Sequence, residues 1–340
     1  MIAIILVVCL IGLTPIIEAE RISPPFEVTQ SFTITGTSDF PIYAVGRYSS
    51  ALRVVPADGG FLALNSNADR LVLVSPDGRD LRFIGGEGSG PGEFVRPTDA
   101  VRLWGDWFVL EAGNPRVQRF DDSGGVRETF PYTAGSALTQ LLPRNDRSLW
   151  LAGWQGCEEA GICLLSTLPL ANGTVRTALP VEDRPLNIAW RFAVDRMNRV
   201  YAVNTHGSVV NVIDERGTRI AQIDISSDST VPLPQGVHNL QDQRERLTRG
   251  AEAMRTEPHT FIAAIAASND RLYVQHGLAN YGEGREYVLD VFSLDGQLLA
   301  QGLEAPGRLQ AAYDDQLIFV DYRDVDPLGE AEILVARYDK

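Results

Sequence analysis

Short apolar runs, each closed by a glycine turn, recur along the chain and limit what it can fold into. The turns end at Gly78, Gly124, Gly173, Gly217 and Gly296. Three are Asp-Gly or Asn-Gly pairs, which signal β-hairpins because glycine accepts the positive φ of a tight turn. The first three intervals are 46, 49 and 44 residues, about the length of one four-stranded β-module. The last interval is 79 residues and leaves room for an insertion.

Two further apolar strands precede each hairpin, and the pair can be aligned six times. The inner strand of each pair is predicted at 52–55, 100–103, 138–142, 190–194, 261–267 and 309–313. The second strand is predicted at 61–64, 107–110, 149–152, 200–203, 272–275 and 317–320. One small sheet cannot bury both of its faces, so neighbouring sheets must stack around a ring. The pattern predicts an all-β, six-bladed β-propeller of four-stranded blades.

The two ends of the chain are expected to meet in one blade. The last copy ends after its third strand, at 333–338. The alternating run 26–34 is unassigned and can supply the fourth strand. Such a closing N-terminal strand would cover an otherwise exposed sheet edge.

Residues 1–19 read as an export signal. The segment 2–13 is almost unbroken apolar sequence, and Ala19 offers a small residue for cleavage. No Lys or Arg precedes the apolar run, so an uncleaved anchor is the alternative. The sequence predicts a signal peptide at 1–19, a propeller at 20–340, and a destination in the periplasm, the cell envelope or the medium.

The net charge of −14 limits the classes of binding partner that the chain can have. An acidic surface repels phosphate backbones and anionic lipid heads, which disfavours nucleic acid and peripheral membrane binding. An unknown protein, a peptide or a glycan stays open as partner.

Export makes a disulfide feasible. Cys157 and Cys163 flank a short loop, and a bridge there would contribute roughly 2 kcal/mol. A metal or redox pair is the alternative. A structural disulfide is favoured because no second Cys or His pair stands nearby at metal-ligand spacing.

One stretch is more specific than the repeat. Residues 85–97 read Gly-Gly-Glu-Gly-Ser-Gly-Pro-Gly-Glu-Phe-Val-Arg-Pro, and this loop resembles the inter-blade loop of NHL-repeat and related bacterial six-bladed propellers. The likeness continues through 109–120, where Asn114 and Arg116 fill the family's Asn-x-Arg turn. Phe94 is expected to plug between blades. The signature is sharp only in the first two blades, so the resemblance implies the fold and hardly any function.

Polar residues recur where the six second strands end. The aligned positions are Asn65, Glu111, Gly153, Asn204, His276 and Asp321. In a propeller these ends share a face with the inter-blade loops, which is a usual place for binding groups. Asp and Asn there can equally serve turn amides. Glu111, His276 and Asp321 are the candidate metal ligands; calcium would suit the carboxylates, and zinc would suit the imidazole.

The insertion at about 226–258 is expected on the same face. Residues 239–255 have helical spacing with one apolar stripe, while Arg244 and Arg249 face elsewhere. The helix either covers apolar surface on the rim or acts as a lid that presents basic groups to an anionic ligand. Both interpretations stay open.

Two functions remain. A binding or scaffold module for a peptide, glycan or protein partner is favoured because no recognisable catalytic set is present. The alternative is a metal-dependent hydrolase or lyase with its site at the central opening. The resemblance includes calcium-dependent lactonases and a zinc-dependent amidating lyase, but neither ligand pattern can be laid over this sequence.

Overall fold

The computed structural model describes residues 26–338 except 39, 41–43, 46–48, 51, 58–59, 133–135, 145, 158–160, 172–175, 181–188, 233–258, 280–286 and 324–328. Every regular element in these ranges is a β-strand. No helical segment in them has the length and apolar character that a bilayer span requires. The predicted signal 1–19 and the predicted helix 239–255, with Arg244 and Arg249, lie outside the described residues.

The strands follow one another closely along the chain. In chain order they are β1 (Phe26–Thr35), β2 (Ala44–Val45), β3 (Ser49–Ser50), β4 (Leu52–Ala57), β5 (Gly60–Asn65), β6 (Arg70–Val74), β7 (Leu81–Ile84), β8 (Pro97–Leu103), β9 (Asp106–Glu111), β10 (Arg116–Phe120), β11 (Val126–Pro131), β12 (Ala137–Pro143), β13 (Ser148–Cys157), β14 (Gly161–Pro169), β15 (Arg176–Pro180), β16 (Trp190–Val194), β17 (Val200–Asn204), β18 (Val209–Ile213), β19 (Arg219–Asp224), β20 (His259–Ala267), β21 (Arg271–Ala279), β22 (Tyr287–Ser293), β23 (Leu298–Glu304), β24 (Arg308–Tyr313), β25 (Gln316–Arg323) and β26 (Glu330–Tyr338).

Six four-stranded antiparallel sheets form the blades. Blades 1 to 5 are β4–β7, β8–β11, β12–β15, β16–β19 and β20–β23, each in sequence order. Blade 6 has the order β24-β25-β26-β1. Each inner strand contacts the next, and β24 contacts β4. The predicted six-bladed propeller is confirmed.

The hydrophobic core is divided among the seams between blades. At the seam of blades 1 and 2, Leu64 and Ile84 pack with Trp107 and Phe120, and Phe94 of the connecting loop is fully buried among them. Phe94 therefore plugs the seam, as predicted.

The hairpin glycines explain the spacing of the repeat. Gly78, Gly124 and Gly296 all have positive φ, between 72° and 97°. A Cβ built on Gly124 would lie 3.3 Å from Ile84 of the preceding blade's outer strand, and one on Gly296 would lie 3.2 Å from Ile223. In blades 2 and 5 the turn that needs glycine for its backbone thus also packs against the preceding blade.

Strand β1 pairs antiparallel with β26, from Phe26 opposite Tyr338 to Thr35 opposite Glu330. Its inward side chains, including Phe32 and Ile34, are buried. A Cβ built on Gly78 of blade 1 would lie 2.5 Å from Phe32. β1 therefore meets blade 1 in the way that β7 meets blade 2.

Candidate functional site

Three of the five polar second-strand ends are fully buried, and the other two, Asn204 and Asp321, are half-buried. Asn65, Glu111 and His276 have no exposed surface, and each lies in a different blade. The third aligned position, Gly153, lies at a β-bulge with a φ of 136°. Within the described ranges, no three His, Cys, Asp or Glu side chains are grouped so that they could hold a metal ion.

Glu111 anchors the glycine-rich loop. Its carboxylate accepts hydrogen bonds from Val95 N at 3.0 Å, Gln118 Nε2 at 2.7 Å and Arg116 Nε at 2.6 Å. Arg116 also donates to the carbonyls of Ser89 and two neighbouring loop residues. The Asn-x-Arg turn thus brings a cation to a buried carboxylate, and together they fix the loop.

His276 occupies the same place in blade 5 with different chemistry. Its Nε2 lies 3.0 Å from Asp290 Oδ2. Asp290 is fully buried and also accepts hydrogen bonds from Ser229 Oγ at 2.8 Å, Gly302 N at 2.8 Å and Ser227 Oγ. Burial alone would raise the pKa of Asp290, but the hydrogen bonds from His276 and Ser227 outweigh it and lower that pKa.

In both networks the third-strand partner occupies the same position relative to the residue at the end of the second strand. Gln118 pairs with Val109, two residues before Glu111, and Asp290 pairs with Val274, two residues before His276. Sequence reasoning missed Gln118 and Asp290. The available signal was a polar residue on the third strand, opposite the position two before the end residue.

The asparagines at this position order turns. Asn65 Oδ1 accepts from Asn67 N at 2.9 Å, and Asn204 Oδ1 accepts from His206 N at 3.0 Å. Asp321 pairs with Glu332 in the β25–β26 ladder.

The structure describes one of the two cysteines of the predicted disulfide. Cys163 is buried and disulfide-bonded, whereas the side chain of Cys157 lies outside the described residues.

A cavity of about 170 Å³ lies at the axis, where all six inner strands meet. Each blade contributes to its wall, which holds residues 52–53, 98, 139–140, 191–192, 263–265 and 308–310. Sequence reasoning missed this cavity because it followed the second strands. We call it the channel cavity.

β-Bulges shape the wall of the channel cavity. The ladders of blades 2, 3, 5 and 6 each contain one extra inner-strand residue near the strand start, namely Thr98, Thr139, Ala263 and Gln310. All four line the cavity. Bulges re-aim side chains and are common next to functional sites. Blades 1 and 4 have regular inner ladders, and there the wall carries Arg53 and Arg191.

Side-chain hydrogen bonds cross every seam around the cavity. Arg53 of blade 1 donates to Asp99 of blade 2 at 2.9 Å, and Asp99 accepts from Leu141 N of blade 3 at 2.9 Å. The remaining links run through Gln140 to Phe192, Arg191 to Ala263, Gln275 to Leu309, and Gln310 to Arg53. The circuit makes the inner ring rigid and holds its cations in place.

Three arginines lie in the wall of the cavity. Arg53, Arg191 and Arg308 line the wall together with no Asp or Glu from the described residues. Arg53 is neutralised by the buried carboxylate of Asp99. Among the described residues, the acceptors of Arg191 are two carbonyl oxygens, Ala263 O at 2.9 Å and Trp190 O at 3.2 Å. Burial and the nearby charge of Arg308 lower the pKa of Arg191 to about 10, which leaves it protonated at neutral pH.

The described residues that flank 233–258 are hydrogen-bonded to each other. Thr260 N donates to Val231 O at 3.0 Å, and Val231 N donates to Thr260 Oγ1 at 3.1 Å. These hydrogen bonds join the described residues on either side of 233–258, and Thr260 lies three residues before Ala263.

Solved structures resemble this chain over most of its length. A member of the DUF4221 family from Bacteroides vulgatus is 10% identical with a TM-score of 0.63, and the match covers 92% of this chain and 97% of that one. A candidate exported protein from Bacteroides fragilis is 11% identical with a TM-score of 0.64, covering 93% and 96%. Virginiamycin B lyase from Staphylococcus aureus is 10% identical with a TM-score of 0.50, covering 91% and 99%.

The likeness is one of fold. No protein-family profile matches the chain, and no curated protein matches its sequence. At these identities the matches support the propeller and say nothing of a ligand.

Proposed function

We propose that this chain is an exported, NHL-repeat-like binding propeller that holds a group of a peptide, glycan or protein partner at the mouth of its central channel. The observation that carries the proposal is the channel cavity, which residues of all six inner strands line. Its wall offers guanidinium, hydroxyl and amide groups on rigid strands, the arrangement that binding sites require. The apolar segment 1–19 supports export.

The polar second-strand ends have a supporting part in this proposal. Glu111 fixes one inter-blade loop directly, and His276 contacts Asp290, which accepts hydrogen bonds from Ser227 and Ser229. Asn65 and Asn204 order turns on the same face. β1 would act as the strand that closes the ring, because it forms the outer edge of blade 6.

Blocking the cavity tests the proposal. Thr139 is exposed and lines the channel cavity, so Thr139→Trp should fill the mouth without disturbing the core. The matched control is Thr129→Trp, on the exposed face of β11. Pools of synthetic peptides and of oligosaccharides are screened by thermal shift, and the hits are measured by calorimetry. We expect binding to the parent chain and to the control, and its loss in Thr139→Trp.

Two results would overturn the proposal: no pool binds, or the hits bind Thr139→Trp unchanged. Metal analysis of the purified protein tests the alternative, a metal-dependent hydrolase or lyase. A stoichiometric calcium or zinc ion that is lost in both Glu111→Ala and His276→Ala would favour that enzyme. Absence of such an ion would leave Glu111 as the anchor of its loop and His276 as the partner of Asp290.

A further inference from the structure

We infer that the propeller carries a second binding site, a cleft between blades 1 and 2 that takes a neutral sugar unit of a glycan. The cleft has a volume of about 310 Å³. Blade 1 contributes residues 60–61, 73–75 and 80–82 to its wall, and blade 2 contributes Arg102, Trp107 and Asp122. We call it the seam cleft.

The seam cleft lies on the face of the propeller opposite the second-strand ends. Its wall holds the start of β5 and the start of β9, the two strands that end at Asn65 and Glu111. It also holds Arg102 near the end of β8, whereas the channel cavity holds Thr98 near the start of β8. Of the described residues, none lines both cavities. The inference therefore does not depend on the proposed function.

The first step is the balance of charge in the wall. Arg102 and Asp122 form an ion pair at 2.8 Å and neutralise each other. Asp80 and Arg82 are exposed, and neither has an ion-pair partner among the residues that the structure describes. Arg82 donates a hydrogen bond to the carbonyl of Asp122. The cleft thus presents one carboxylate and one guanidinium without ion partners, and its net charge is zero.

The second step is the match between these two groups and hydroxyls. A carboxylate only accepts hydrogen bonds, and a guanidinium only donates them. A hydroxyl does both, so neighbouring hydroxyls of one sugar ring can satisfy Asp80 and Arg82 together. An anion would be repelled by Asp80, and a cation by Arg82. A neutral sugar also avoids the desolvation cost of bringing a net charge into the cleft.

The third step is the floor of the cleft. Trp107 is 1% exposed, and its Nε1 has no hydrogen-bond acceptor among the described residues. A buried donor without an acceptor is unfavourable, so an oxygen atom brought in by a ligand would relieve that cost. Phe61 and Leu81 add apolar surface to the wall, which suits the C–H groups of a sugar ring.

The fourth step is the size and openness of the cleft. Its volume of about 310 Å³ lies at the lower end of the roughly 300–1,000 Å³ typical of small-molecule pockets. Asp122, at one side, is 58% exposed, so the cleft is open to solvent there. It can therefore hold a sugar unit while the rest of a glycan chain extends outward.

Oligosaccharides that differ in charge provide the test. Neutral tetramers of glucose, mannose and galactose are titrated into the purified protein by calorimetry. The matching uronic-acid tetramers, the glucosamine tetramer and the zwitterion alanyl-alanine are measured in parallel. We expect a neutral tetramer to bind, and each charged probe to bind at least about 10-fold more weakly, since a hydrogen bond to a charged group contributes that much or more.

Two variants locate the contact. Asp80→Ala and Arg82→Ala should each weaken binding of the neutral tetramer about 10-fold or more. Both side chains are exposed, so neither change disturbs the core, and a thermal melt checks the fold. The controls are Glu128→Ala and Arg79→Ala, whose side chains are 46% and 85% exposed and do not line the cleft. Both controls should bind as the parent chain does.

The indole N–H of Trp107 gives an independent readout. The protein is labelled with ¹⁵N at its five tryptophans, and Trp107→Phe identifies the Trp107 cross-peak by its loss. We expect this cross-peak to shift as the neutral tetramer is added, and the shift to be lost in Asp80→Ala at the same tetramer concentration. A Trp107 cross-peak that does not move would show that the sugar binds elsewhere.

The remaining outcomes separate the two cavities. Absence of binding by every neutral tetramer refutes the inference, and so does tighter binding of a charged tetramer or of alanyl-alanine. Binding that Asp80→Ala and Arg82→Ala both leave unchanged also refutes it. Thr139→Trp fills only the channel cavity, so it should leave tetramer binding unchanged. Loss of binding in that variant would place the sugar in the channel cavity, which supports the proposed function and refutes a sugar site in the seam cleft.

Discussion

Replacing Glu111 with alanine removes the carboxylate that fixes the loop between blades 1 and 2. Arg116, only 12% exposed, then loses its partner at 2.6 Å, and Val95 N and Gln118 Nε2 lose their acceptor. Breaking a buried ion pair by removing one partner costs about 3–5 kcal/mol. Arg116 retains its carbonyl acceptors, so we expect the lower end, about 3 kcal/mol.

The corresponding change in melting temperature follows from the size of the propeller. An unfolding entropy of about 2.1 cal/mol/K per residue over about 300 residues gives about 0.6 kcal/mol/K, so the variant should melt about 5 °C lower. Urea unfolding and a thermal melt measure both quantities. Limited proteolysis should show new cleavage within 85–97, because the loop has lost its anchor.

A surface glutamate of the same blade is the control. Glu128 is 46% exposed and lies 3.7 Å from Arg119, so Glu128→Ala should change the free energy of unfolding by less than about 1 kcal/mol. Glu111→Gln keeps an acceptor for Val95 N but loses the charge, and should fall between the two. If Glu111→Ala is as stable as Glu128→Ala, the structural role assigned to this carboxylate is wrong.

Two further predictions concern blades 5 and 6. Deleting Phe26–Thr35 exposes the edge of β26 and should lower the melting temperature by several degrees or abolish soluble expression; a soluble deletion variant with unchanged melting would count against closure by β1. The lowered pKa of Asp290 means that its stabilising contribution is complete above its ordinary value of 3.8 and is lost as the pH falls through the lower folded value. Asp290→Asn should therefore reduce the free energy of unfolding at pH 7 and flatten its decline between pH 5 and pH 2, measured by urea unfolding; a parallel decline in both proteins would contradict this.

The fold could be predicted because its signals are local. The turns at Gly78, Gly124 and Gly296 combine a positive φ with contact to a neighbouring blade. The spacing of these glycines in the sequence therefore follows the repeat of the blades in the structure. The inner and second strands were found for the same reason, and Phe94 was recognised as a plug between blades because its loop resembles a known pattern.

The candidate site could not be predicted because it depends on register. Whether Thr98 or Thr139 faces the axis is decided by one extra residue in an inner strand, and nothing in the local sequence marks that residue. The pairing of His276 with Asp290 depends on which third-strand residue lies two positions back. Arg191 is apolar-flanked in the sequence, and its closeness to Arg308 arises only when blades 4, 5 and 6 stand side by side.

The hydrogen bonds between Val231 and Thr260 mark a position where another sequence can be inserted by engineering. A chain that departs and returns at one spot places little demand on the length of what lies between, because loop-closure entropy grows only slowly with length. Another domain, an epitope or a two-glycine splice could occupy that spot while the ring keeps its shape.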